Sequence, residues 1–131
     1  MAQVTYLEYS GRDYQYAADI LKMGHYNPCG RFCQQSVEKR YKAYIEVAGS
    51  IEDMRVMTSH NLTLLYRRIC QLLNIPIDLE TMGELALLSS YYFDTNYPKE
   101  ENIELTKDEA EQALEIAEKL NNWTDTLLSS V

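Results

Sequence analysis

The sequence predicts an all-α protein, an up-and-down helical bundle of about five helices. Three features lead there. Apolar residues recur at intervals of three and four over several long segments, helix start and stop signals bracket those segments, and no strand-like alternation of useful length occurs. With 131 residues, 46% hydrophobic and 24% charged, the chain has the size and composition of one folded domain spanning 1–131.

Ser10 followed by Asp13 caps a first helix through Tyr14, Ala17, Ala18, Leu21 and on towards His25. Asn27-Pro28 makes a turn, and Pro28 is tolerated in the first turn of the next helix because its missing N–H has no partner there. That second helix carries Cys29, Phe32, Cys33, Val37, Tyr41, Tyr44, Ile45 and Ala48 as its apolar stripe and stops at Gly49. Gln35, Glu38, Lys39, Lys42 and Glu46 fall on the opposite, polar face, with Glu38 and Lys42 in the favourable i, i+4 order.

Residues 49–60 read as a connection. Ser59 or Asn61 then caps a third helix through Leu62, Leu65, Tyr66, Ile69, Leu72 and Leu73, which Asn74-Ile75-Pro76 ends. Thr81 with Glu84, and Thr106 with Glu109, both fit the reciprocal capping box and mark the starts of the fourth and fifth helices. The fourth runs through Leu85, Leu88 and Tyr92 to Asn96-Tyr97-Pro98, where the pre-proline residue leaves helical geometry, and a charged loop with Lys99-Glu100-Glu101 follows. The fifth has a stripe of Ala110, Ala113, Leu114, Ala117, Leu120, Thr124, Leu127 and Leu128 broad enough for a central or dimer-forming helix.

Eleven tyrosines, each an apolar ring with a polar tip, suit half-buried seams. The odd count of three cysteines argues against a disulfide framework. With neither a leader-like start nor a long apolar run, this gives a cytoplasmic expectation. The net charge of −8 is uneven: residues 1–77 carry nine Lys/Arg against seven Asp/Glu, and residues 78–131 carry three against thirteen. An acidic second half repels phosphate backbones, so any RNA contact falls to the first half.

Four constellations carry candidate chemistry. His25, Cys29 and Cys33 are spaced by four and on an unbroken helix would stack an imidazole and two thiols for a metal; Pro28 interrupts that helix, no fourth ligand is near, and core packing is the favoured reading, so no metal is assigned. Arg55 and His60, a cation and an imidazole with four residues between them, suit metal-independent RNA cleavage, although they lie in a connection and coincidence is the favoured account of the spacing. Gln35, Glu38, Lys39 and Lys42 form either a solvated stripe or a recognition surface for a partner or a nucleotide phosphate. No glycine-rich phosphate loop, Gly-x-Ser-x-Gly elbow, Cys-x-x-Cys pair or His-Glu-x-x-His occurs, and no cofactor is implied.

The segments "YAADILKMGHYNPCGRF", "CQQSVEKRYKAYI", "TSHNLTLL" and "YYFDTNYP", followed by an alanine-rich final helix, come in an order that resembles the HEPN domain family over residues of roughly 10–128. Gln34, Gln35, Val37, Glu38, Lys39, Lys42 and Ala43 match part of its Gln-Gln-x-x-Glu-Lys-x-x-Lys-Ala pattern. Thr58, His60, Asn61 and Leu62, with Ser59 as an extra residue, match its Thr-His-(Asp/Asn)-Leu. The resemblance implies a helical bundle, usually homodimeric, often made beside a minimal nucleotidyltransferase in a toxin–antitoxin-like pair, with some members acting as ribonucleases through Arg-x(4–6)-His. Here Asn96-Tyr97-Pro98 stands where Arg-Tyr-Pro is common, and no Arg follows residue 68. The expectation is therefore a non-catalytic binding module with Gln35, Glu38, Lys39, Lys42, Asn96 and Tyr97 as binding residues; the alternative is a metal-independent RNA endonuclease using Arg55 and His60.

Overall fold

A computed structural model describes residues 5–96 and 104–131. Among them are six α-helices and no strand: α1 (Tyr6–Lys22), α2 (Tyr26–Ala48), the single turn α3 (Met54–Met57), α4 (Leu62–Leu73), α5 (Leu79–Asn96) and α6 (Lys107–Leu128). The expected helices are all present, and the sixth, with a 3-10 turn at Ile51–Asp53, occupies the segment read as a connection.

Two helix starts lie earlier than their sequence signals suggest. Thr5, not Ser10, caps α1, its side chain accepting from the Glu8 backbone N–H at 3.1 Å. Ser10 and Asp13 are instead buried within the helix, because starting at Thr5 adds a turn of α1 against α2. Likewise α5 starts before Thr81: the Asp78 carboxylate accepts the Thr81 backbone N–H at 3.0 Å and its hydroxyl at 2.7 Å. The other two starts follow their signals, with Asn61 Oδ1 accepting from Thr63 and Leu64 at α4 and the Thr106/Glu109 box complete at α6.

The central helix is α2, packed against α1, α4, α5 and α6, a position the breadth of the α6 stripe had suggested for the last helix. Around it Ala17, Val37, Tyr41, Ile45, Leu62, Leu65, Ile69, Leu85, Leu88, Ala113, Ala117 and Leu120 form one core. Each larger aliphatic side chain there contributes about 1.5–3 kcal/mol of transfer free energy. Cys29 and Cys33 pack in this core as free thiols hydrogen-bonded to each other, with the Cys29 thiol also donating to the Ala110 carbonyl at 3.8 Å, while His25 is exposed at the start of α2.

Gly49 ends α2 for want of space rather than through an unusual φ, which is −87°. A Cβ there would lie 2.7 Å from the Ile45 carbonyl oxygen and clash with Asp53 Oδ2. That approach lets Asp53 accept the Ser50 backbone N–H at 2.8 Å and pair with Arg68, tying the end of α2 to α4. The tyrosines do serve seams: the Tyr66 hydroxyl accepts from the Asp78 N–H at 3.0 Å, its ring packs on Trp123, and the Tyr14 hydroxyl reaches Glu118 across α1 and α6.

Candidate functional site

A helix surrounded by four others has little surface left for a wet stripe, and the polar residues of α2 are divided between its neighbours. Gln34, Glu38 and Lys42 lie one turn apart and are buried towards α4 and α5, whereas Lys39 turns to α1, pairs with Asp13 and lies over the Tyr9 ring at 5.4 Å. The expectation of one solvated face holding Gln35, Glu38, Lys39 and Lys42 is thus replaced by two separate polar contacts; among the described residues Gln35, partly buried, bonds to neither. The reason is the central position of α2, which turns nearly every side of the helix into an interior surface.

Glu38 is the hub. Its carboxylate, 5% exposed, accepts from Lys42 Nζ at 3.1 Å and from Gln34 Nε2 at 3.3 Å, and both its oxygens lie 3.1–3.2 Å from His60 Nδ1. Gln34 Nε2 also donates to the His60 carbonyl at 3.4 Å. Two acceptors fix that amide with its nitrogen inward, leaving Gln34 Oε1 buried without a hydrogen-bond partner.

An ionised carboxylate only accepts, so its contact with His60 places a proton on Nδ1, and in the neutral imidazole the lone pair is then on Nε2, away from Glu38. The imidazole ring is 63% exposed and stacks against Tyr92 of α5 with centroids 6.3 Å apart. A base oriented by a buried carboxylate, with its second nitrogen at the surface, has the arrangement used to move a proton on a bound molecule. His60, just ahead of the Asn61 cap of α4, is anchored to a residue 22 positions back along the chain.

Arg55 is exposed on α3, and among the described residues its guanidinium makes no ion pair. The turn at Thr58 and Ser59 separates it from His60. Asn96 is the last residue of α5, and Tyr97 lies outside the described residues. Sequence reasoning missed Gln34 and Tyr92; for Gln34 a signal existed, since positions 34, 38 and 42 recur every four residues and share one stripe. No group of three His, Cys, Asp or Glu side chains able to hold a metal occurs among the described residues, nor does any helix among them have the length and apolarity to cross a membrane.

Neither the curated proteins nor the solved structures contain a match to this chain. The family model described as HEPN domain matches residues 4–127, which takes in all six helices except the final residue of α6. The all-helical architecture and the match over nearly the whole length agree, and the chain belongs to the HEPN domain family.

Proposed function

We propose that this HEPN chain is a non-catalytic binding module, homodimeric and cytoplasmic, that docks a nucleotidyltransferase-type protein and has a polar surface suited to a nucleotide. The carrying observation is the use of the basic residues. Of the nine in residues 1–77, Lys39, Arg40, Lys42 and Arg68 are engaged with Asp13, Asp125, Glu38 and Asp53. Those pairings neutralise four of the nine, while α6 carries Glu111, Glu115 and Glu118, all at least partly exposed. Such a surface suits a basic protein partner, with charge setting the rate and register of encounter. The test is the triple variant Glu111→Lys, Glu115→Lys and Glu118→Lys, measured against the co-expressed partner: the complex weakens at least tenfold while circular dichroism is unchanged. Unaltered affinity would remove the acidic face from the account.

A second reading is favoured by one contact. Glu38 holds His60 with Nε2 outward, and Arg55 is free to clamp a phosphate, which supports metal-independent RNA cleavage with His60 as general base. Lys42, buried beneath that contact, does not guide a strand. On this reading purified protein cuts single-stranded RNA in the presence of a chelator and His60→Ala abolishes the cutting; equal cutting by both proteins would locate the activity elsewhere.

A further inference from the structure

Helices α5 and α6 both pack on α2, and between them runs a groove of about 500 Å³ lined by Glu80, Gly83, Glu84, Leu87, Glu115 and Ile116 among others. Lys119 lies across it, 3.0 Å from Glu84 and 3.4 Å from Glu80. We propose that this groove is the seat of a Lys/Arg-bearing amphipathic helix supplied by a partner protein, with Lys119 holding Glu80 and Glu84 in the place of the incoming cation. The proposal rests on the binding-module reading and gives it a surface.

Three independent features of the groove point to a helix. On α5, Leu79, Gly83 and Leu87 recur every four residues and so form one stripe; Leu79 is 84% exposed, and Leu87 with Ile116 supplies an apolar floor. Gly83 is unexplained by the fold, since it lies inside a helix, where glycine costs roughly 1 kcal/mol relative to alanine. A Cβ added there would meet nothing within 4 Å among the described residues. A missing side chain that no internal neighbour requires is what close approach of an external backbone would require. Glu80, Glu84 and Glu115 then set the sign of the occupant, with only Lys119 opposing them in the groove. A second copy joined through the same face would bring those carboxylates together, so the occupant is a basic helix and not this chain's own α5 and α6. Apolar anchors at i, i+4 spacing with a charged border match helix-in-groove recognition.

The test uses the full chain and a synthetic amphipathic helix of alternating Lys and Leu faces, with a Glu/Leu peptide of the same pattern as control. The Lys/Leu peptide is expected to bind, with backbone amide shifts centred on residues 79–87 and 112–119. Gly83→Gln, which fills the groove with a better helix former and should melt at or above the wild-type temperature, is expected to weaken binding at least tenfold. The pair Glu111→Lys and Glu118→Lys, outside the groove, should weaken it only a few-fold. Wild-type affinity in Gly83→Gln, or shifts centred on Glu111 and Glu118, would overturn the groove while leaving docking on the outer acidic face. Absence of any binding by the basic peptide would overturn both. Equal binding of the Glu/Leu peptide would overturn the charge assignment, and loss of a wild-type dimer in Gly83→Gln would assign the groove to a second copy instead.

Discussion

His60 Nδ1 lies 3.1 Å from Glu38 Oε1, which joins the turn before α4 to a carboxylate buried in the middle of α2. The same carboxylate neutralises Lys42, so one buried acid serves a structural cation on its inner side and a surface imidazole on its outer side.

The buried pair gives a prediction about stability. Glu38→Met strands the Lys42 ammonium, 5% exposed, without its partner, and should lower the unfolding free energy by about 3–5 kcal/mol. Adding Lys42→Met removes the stranded charge and should recover most of that loss, because apolar side chains of similar volume replace a buried ion pair at little cost. Denaturant titration of the two variants decides the matter: a double variant as unstable as the single one would mean that the pair itself is not the source of the loss.

Asp53 gives a prediction about pH. The Arg68 guanidinium and the Ser50 backbone N–H hold its carboxyl below the usual range. The unfolded chain therefore takes up this proton more readily than the folded one. The contribution to stability is full above the ordinary carboxylate pKa of about 4 and is lost as the pH falls through the lower folded value. Asp53→Asn should be less stable than wild type near neutrality, and acidification should narrow the gap; a gap that stays constant into strong acid would contradict the assignment.

At the end of α2, Gly49→Ala places a methyl group 2.7 Å from the Ile45 carbonyl oxygen, which cannot swing aside as a side-chain tip can. A loss of about 1–3 kcal/mol is expected from the overpacking, together with weaker protection of the Ser50 amide from hydrogen exchange. Unchanged stability and protection would show that the turn relaxes freely.

The long helices were legible because their signals are local. The Asn61 cap, the Thr106/Glu109 box and the Asn74-Ile75-Pro76 stop each depend on a few adjacent residues. What escaped the sequence is what depends on neighbours in space. Ser10 and Asp13 have the chemistry of caps but are drawn into bonds with Ser36 and Lys39, and the polar stripe of α2 reads as solvated until four helices are packed around it. His60 was singled out for its spacing from Arg55, yet its anchor at Glu38 is set by the fold alone.

We propose that this chain works by docking a basic nucleotidyltransferase-type partner on its acidic face. Mild-salt co-purification of the tagged protein from its own cells tests this, alongside the Glu111→Lys, Glu115→Lys and Glu118→Lys triple variant, with mass spectrometry and absorbance of what is recovered. A stoichiometric nucleotidyltransferase is expected with the wild type, and its loss from the variant. A homodimer that carries RNA and no protein partner would contradict it and turn attention to Arg55 and His60.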